Sequence, residues 1–334
     1  MGTDLTRILV TGVGGAPGFD LAARLLDLGA EVIGADADPL ASGLLIDGII
    51  PRVLPPAADP SYEEALTGLC RDLRPAGLFS TVEHELPQLL RLEPELSGLG
   101  VRTWLPPAPA IEACLDKAVF HTVLAWHQIP VPRTWPASEI SQVPAVCPMV
   151  VKPRRGQGSK NVVFCSTRDQ ARVLCELIPD PVIQERVDGQ EFTADCLVSR
   201  DGRASVILRY RLVVKGGLSM VSRTVRDDEA ATLVRQALTV IGVTGPCCVQ
   251  GIISGHAIPR VQLLEANARF AGAFRASEAA GADLAGQALR GLLGQPVDHA
   301  RLTYQPGICL TKYVATLRTS PPQEQEAQPC PAPQ

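Results

Sequence analysis

The chain lacks a surplus of positive charge: 31 basic against 35 acidic side chains over 334 residues leave a formal net charge of −4. Proteins that bind nucleic acid usually carry a basic field, so no nucleic-acid partner is expected. No stretch approaches the roughly 18 consecutive apolar residues of a spanning helix, which excludes a helical membrane protein as a reading. The opening Met1-Gly2-Thr3-Asp4-Leu5-Thr6-Arg7 runs directly into Ile8-Leu9-Val10, and no signal peptide is expected there. The ten cysteines form no C-x-x-C pair and no zinc-type spacing with histidine. They read as reduced thiols in a cytoplasmic protein, with the adjacent Cys247 and Cys248 as packing residues. The five histidines, His84, His121, His127, His256 and His299, form no ligand pair or triad. The absence of G-x-S-x-G argues against a serine hydrolase, and the absence of G-x-x-x-x-G-K-[ST] excludes the P-loop solution to phosphate binding.

What is present is an apolar content of 46%, enough for about two compact units at roughly 150 residues each. The first hundred residues alternate apolar runs with helical patterns, as a parallel sheet flanked by helices requires. Strands are predicted at Ile8 to Thr11, Glu31 to Ala35 and Leu78 to Val82. Helices are predicted over 19–28 and from Ser61, with Glu64 at capping-box spacing, to Leu73. Ligands in open parallel sheets sit beyond the carboxyl ends of strands. The turn after Thr11 and the Glu83-His84-Glu85 segment should therefore face one crevice.

The composition shifts at Pro106-Pro107-Ala108-Pro109. Beyond it come a helix over 116–127, a strand Met149-Val150-Val151-Lys152-Pro153 and a helix from Thr167 to about Leu177. A strand at 182–184 follows, then strand-rich sequence up to a helix over 228–241, and strands over 248–253 and 260–264. Thr319 to Gln334 has almost nothing to bury and is expected to be disordered.

Gly12-Val13-Gly14-Gly15-Ala16-Pro17-Gly18 invites a dinucleotide reading with Asp36 as the ribose acid, but the G-x-G-x-x-G spacing fails: Pro17 stands where the last glycine belongs and Gly18 comes one residue late. Its exposed amides suit an anion at a helix N-terminus, so Gly14 and Gly15 are candidate substrate contacts, alongside a purely structural turn. Further on, the chain carries what phosphoryl transfer needs: cations for phosphates, backbone amides around them, and oxygen ligands for magnesium. Lys117 opens a helix, Lys152 ends a strand, and the Gly156 to Ser159 loop follows. Glu191 comes after a Gly189 turn. Glu265 and Asn267 stand at i and i+2, on one face of an extended strand, where two hard oxygen ligands can meet one ion. Arg269 continues that face. Arg209 and Arg211 also share a face, near Lys215, and suit a carboxylate or phosphoryl group. Glu83 and Glu85 suit a substrate ammonium.

Asp116-Lys117, Val150-Val151-Lys152-Pro153 with Gly156-x-Gly158-Ser159, Gln184-Glu185 to Glu191, Gln250, and Leu264-Glu265-Ala266-Asn267-Ala268-Arg269 together resemble the ATP-grasp superfamily, in the stand-alone branch similar to the carbamoyl phosphate synthetase large subunit. The resemblance spans about residues 5 to 315 and implies an α/β ATP-grasp fold. A Rossmann-like domain is expected over 1–108, a small α+β lid subdomain over 109–186, a C-terminal α+β subdomain over 187–318, and a tail over 319–334. It implies ATP on Lys117, Lys152, Gly156, Gly158, Ser159, Glu185, Val187 and Glu191, with magnesium, or manganese in its place, on Gln250, Glu265 and Asn267. Lys152, Arg269, Arg211 and Lys215 would serve catalysis. The alanine at 268, where the family often has proline, and Gln250, often an acid, are departures. The implied reaction activates a carboxylate as an acyl phosphate and joins it to an amine; phosphorylation of bicarbonate and a non-catalytic ATP-binding protein are the alternatives. Substrates would be small carboxylates and amines, and a homodimer is an expectation from resemblance.

Overall fold

The computed structural model describes residues 6–156, 158, 160–255 and 259–317. Its first unit is a four-stranded parallel sheet of order β3-β2-β1-β4, made of β1 (Arg7–Thr11), β2 (Glu31–Asp36), β3 (Ile49–Val53) and β4 (Gly77–Ser80). Strands β1, β2 and β4 read as near-continuous apolar runs because helices cover both faces: α1 (Ala16–Asp27), α2 (Tyr62–Leu73) and α3 (Leu86–Gly98). Strand β3 escapes the apolar pattern. Pro51 interrupts it, and as an edge strand it is half-exposed, which tolerates a residue without an amide donor. Helix α1 begins three residues earlier than its apolar spacing suggests, because Pro17 fits the first helical turn. The capping box at Ser61 does not form: Ser61 has helical backbone angles and its hydroxyl donates to Asp59 at 2.7 Å.

The chain then forms α4 (Ala108–Leu115) and α5 (Lys117–Trp126). A second, antiparallel four-stranded sheet has the order β5-β8-β6-β7, from β5 (Thr134–Pro136), β6 (Val146–Pro153), β7 (Val163–Thr167) and β8 (Pro181–Glu185). Helix α6 (Arg168–Leu177) packs on it, capped by the Thr167 hydroxyl accepting from the Gln170 amide. Its core is small: Val143, Met149, Val151, Cys165, Ala171, Ile178 and Ile183. Helices α4 and α5 do not join this unit. They bury Ala110, Ala113, Phe120 and Leu124 against the next sheet, so the small unit starts near Thr134 and not at 109.

That next sheet is antiparallel and six-stranded, of order β13-β12-β9-β10-β11-β14. Its strands are β9 (Gln190–Val198), β10 (Ala204–Lys215), β11 (Leu218–Thr224), β12 (Gly245–Ile253), β13 (Val261–Asn267) and β14 (Cys309–Thr311). Helix α7 (Asp228–Ile241) packs with α4 and α5 on one face, meeting Phe192, Ala194, Cys196 and Val198 of β9. Helices α8 (Arg275–Ala279) and α9 (Leu284–Leu292) return the chain to the first unit. There Gly291 leaves room for Trp104, whose ring would stand 1.9 Å from any Cβ at that position.

The two-residue period of the strands gives the opposite face its chemistry. Register places Glu265 opposite Gln250, Gln250 opposite Thr193, Thr193 opposite Arg209 and Arg209 opposite Thr224. A polar row thus crosses five strands, facing away from the core filled by α4, α5 and α7. Among the described residues no helix is long and apolar enough to cross a membrane. Nine cysteines are described and all are free thiols. The tail from 318 onward and His256 lie outside the described residues.

Candidate active site

The polar row forms one wall of a cavity of about 1130 Å³ bounded by all three sheets. The parallel sheet contributes Gly12, Gly15, Thr81 and Val82 from the ends of β1 and β4, at the point where neighbouring connections diverge. The small sheet contributes Lys152 and Gln184. Register sets Lys152 opposite Val182 and alternates it with the buried Val151, so its side chain leaves the small core and points into the cavity.

Lys152 is only 8% exposed. Burial pushes its ammonium down to about 8; Glu265 and Glu191 oppose this, and Lys117 adds to it. Its Nζ donates to Gln184 Oε1 at 2.9 Å, and the Gln184 amide nitrogen lies 2.9 Å from Thr134 Oγ1 and 2.7 Å from His121 Nε2. His121 is buried, and burial holds its imidazole near 3, so it stays neutral. In the sequence Gln184 stands in the motif with no role of its own, and His121 has no ligand spacing. Their part in holding Lys152 depends on contacts between residues 32 and 63 positions apart, which sequence spacing does not signal.

Lys117 owes its place to Asp116. That carboxylate is fully buried, caps α5 by accepting from the Ala118 and Val119 amides, and pairs with Arg154 at 2.7 Å. Burial alone would raise the Asp116 carboxyl, but Arg154 and the two amides hold it below its ordinary range. Lys117 Nζ donates to the Gly156 carbonyl at 2.8 Å and lies 3.9 Å from Glu265 Oε2. The glycine loop meets the β10–β11 hairpin backbone to backbone. A Cβ on Gly217, at φ +77°, would come within 2.7 Å of the Gly158 carbonyl carbon. Ser159 lies outside the described residues.

Arg211 links three groups: its Nη1 donates to Gln250 Oε1 at 2.5 Å, its Nη2 to the Gly217 carbonyl at 2.7 Å, and Glu191 lies at 3.2 Å. Gln250 Nε2 donates to Glu265 Oε1 at 2.9 Å, and Asn267 Nδ2 is 3.4 Å from the same oxygen. Arg269 Nη2 donates to Asn267 Oδ1 at 3.2 Å. Glu185 and Val187 also line the cavity, the former paired with Arg133 at 2.9 Å. Among the described residues no three His, Cys, Asp or Glu side chains cluster as a metal site. The oxygen donors at the polar row are one carboxylate, Glu265, and the amides of Gln250 and Asn267. So few donors fit magnesium, which takes one or two carboxylates and completes its shell with phosphate oxygens and water.

Several expected contacts take different places. Glu85 is buried below the crevice, where it accepts from Thr11 Oγ1 and, at 2.6 Å, from Ser80 Oγ; it ties β1 to β4 and meets no substrate. Glu83 is 5% exposed and stands behind Arg269, its Oε2 at 3.9 Å from the guanidinium and its Oε1 without a hydrogen-bond partner among the described residues. Burial raises the Glu83 carboxyl to about 7 against the opposing pull of Arg269. It therefore supports Arg269 and does not line the cavity. Gly14 donates its amide to Asp36 Oδ2 at 2.7 Å and closes a turn there; of the two candidate substrate contacts Gly14 and Gly15, Gly15 lines the cavity and Gly14 does not. Lys215 is exposed at the end of β10, outside the cavity wall. Arg209 does line the wall but is fully buried, with Asp195 gripping it at 2.8 and 3.2 Å while Ser277 donates to Asp195 at 2.5 Å. Asp195 carries no sequence signal, because its partner lies on the neighbouring strand, 14 residues further along the chain.

A three-sheet assembly enclosing two lysines, a glycine loop and a Gln-Glu-Asn row has the ATP-grasp fold. The model of the family described as ATP-grasp in the biosynthetic pathway with Ter operon matches residues 178–314. Among solved structures, an L-amino acid ligase from Bacillus licheniformis superposes with a TM-score of 0.68 at 18% identity, over 90% of this chain and 77% of that one. An N5-carboxyaminoimidazole synthetase from Staphylococcus aureus complexed with ADP gives 0.70 at 17% identity, over 88% and 78%. A biotin carboxylase from Campylobacter jejuni gives 0.70 at 13%, over 90% and 74%. At these identities the likeness is one of fold. No curated protein matches in sequence.

Proposed function

We propose that the protein is a magnesium-dependent, ADP-forming ligase that joins a small carboxylate to an amine. The observation that carries this reading is the meeting, in one cavity, of Lys117 and Lys152 with the Gln250–Glu265–Asn267 row and the guanidinium groups of Arg211 and Arg269. Cations on one side and hard oxygens on the other match the charge that spreads over a transferred phosphoryl group. Glu265 and Asn267 would hold magnesium, with Gln250 joining once nucleotide draws Arg211 away; the bound ion would neutralise charge on the bridging phosphates. Lys117 and Lys152 would hold phosphates under the glycine loop. Glu185, Val187 and Glu191 would receive the nucleoside end.

In the reaction, a carboxylate oxygen attacks the terminal phosphorus of ATP, the bond to the bridging oxygen breaks, and ADP leaves with an acyl phosphate formed. An amine then attacks the acyl carbon, phosphate departs, the nitrogen loses a proton, and an amide remains. Arg269, backed by Glu83, and Arg211 would steady the transferred group, and Arg209 the carboxylate. The protein contributes position and charge, and its closed loop would keep water from the acyl phosphate.

The test is a screen of amino acids and small carboxylic acids for ADP release with ATP and magnesium, followed by mass analysis of the product. Release that needs both acid and amine and yields their amide is the expected result. Release driven by bicarbonate alone would overturn the amide reading in favour of bicarbonate phosphorylation. Stabilisation by nucleotide with no ADP from any pair would favour a non-catalytic binder.

A further inference from the structure

Away from the nucleotide cavity, a second pocket of about 470 Å³ lies between the start of β10, α7 and the 299–304 segment. Its wall carries Arg203, Arg226 and Arg235 and no acidic residue. None of these three guanidinium groups has a hydrogen bond, ion pair or ring contact among the described residues. The only other described arginines left so are Arg74 and Arg102, and neither lines this pocket.

Of the neighbouring carboxylates, Asp228 is exposed at the start of α7 and is not part of the pocket wall, and four others are already committed. Asp227 and Glu229 pair with Arg260 at 2.8 and 2.7 Å, Asp201 accepts from Ser199, and Asp298 accepts from the Ala300 amide at 3.0 Å. The other polar groups of the wall are occupied too. His299 is held between Ser199 and Ser205, and the Tyr304 hydroxyl donates to the Val225 carbonyl at 2.7 Å. What remains open is a set of N–H donors and three positive charges, gathered from the turn before β10 (Arg203), the loop after β11 (Arg226) and α7 (Arg235) in a protein whose net charge is negative.

Like charges brought together without partners repel, and the arrangement becomes favourable when an anion sits among them. The guanidinium fork is shaped for oxyanions, and the volume falls within the range of small-ligand sites. We propose that this pocket binds a small multiply charged oxyanion of the phosphate class, at a site separate from the nucleotide cavity. Strand β10 connects the two: Ala204, Ser205 and Val206 line the one, Arg209 and Arg211 the other.

The test is calorimetric titration of the full chain with inorganic phosphate, pyrophosphate, glycerol phosphate and acetate. Parallel titrations use Lys152→Met, to disable the nucleotide cavity, and the pair Arg226→Gln with Arg235→Gln. Saturable binding of a phosphate probe that survives Lys152→Met and weakens by about ten- to a hundredfold in the arginine pair is expected. A preference for glycerol phosphate over inorganic phosphate would identify a phosphorylated metabolite as the source. Binding lost in Lys152→Met, binding unchanged in the arginine pair, or no saturable binding to the unaltered chain would each overturn the proposal. Arg203→Gln, on a different element, supplies the same comparison should the double variant fail to unfold cooperatively.

Discussion

Replacing Lys152 with methionine separates two consequences of one buried charge. Burial lowers this ammonium from its ordinary 10.5 to about 8, so at pH 7 about nine-tenths of it is still charged. The folded protein sheds the proton near pH 8, while the unfolded chain keeps it up to about 10.5. Between those values the unfolded state binds more protons, so the stability of the unaltered chain rises with pH. A shift of 10.5 − 8 = 2.5 is worth about 3 kcal/mol. Methionine has no proton to lose. Other titrating groups cancel in the comparison, so the stability difference between the two proteins should swing by about 3 kcal/mol in favour of lysine from pH 7.5 to 10.5. Urea denaturation at half-unit steps reads this directly. The same substitution should lower ADP formation about 10² to 10³-fold, the scale for one preorganised charge-stabilising donor. Parallel stability curves would refute the buried-charge argument, and undiminished turnover would refute the role assigned to the ammonium.

Three further perturbations follow from the same geometry. Glu83→Gln should remove a loss of stability that accumulates as pH rises from 4.5 to about 7, where the folded state retains a proton the unfolded chain has released; urea melts over pH 4.5 to 8 would show the variant's flatter profile. Asp195→Ala should cost about 3–5 kcal/mol by leaving Arg209 buried and unpaired, and adding Arg209→Met should recover part of it in the same melts. Gly217→Ala, at positive φ and against the Gly158 backbone, should raise the KM for nucleotide about tenfold and cost about 1–2 kcal/mol of stability, read by nucleotide kinetics and urea melts on the same variant.

Much of the architecture was legible one element at a time. Continuous apolar runs marked β1 and β2, and helical spacing marked α2, α6 and α7, because each signal is local to a few turns or one strand. The failures have local causes as well: Pro51 masks an edge strand, and Ser61 uses its hydroxyl on Asp59 instead of capping α2. Glu83 and Glu85 follow β4 in a segment that faces the crevice, yet both side chains turn inward, one to Arg269 and one to the β1–β4 seam.

The sequence by itself determined the chemical inventory: the Lys152 strand end, the glycine loop after it, and a Glu-x-Asn pair whose strand period forces both side chains to one face. Only the tertiary structure decided which of these meet. Strand register set Gln250 beside Glu265 and Arg209 beside Asp195, sheet packing brought Gln184 and His121 to Lys152, and Lys215 was left in solvent. Side-chain period is a property of neighbouring residues, whereas the pairing of strands and the burial of charge arise from contacts between distant segments that no local spacing encodes.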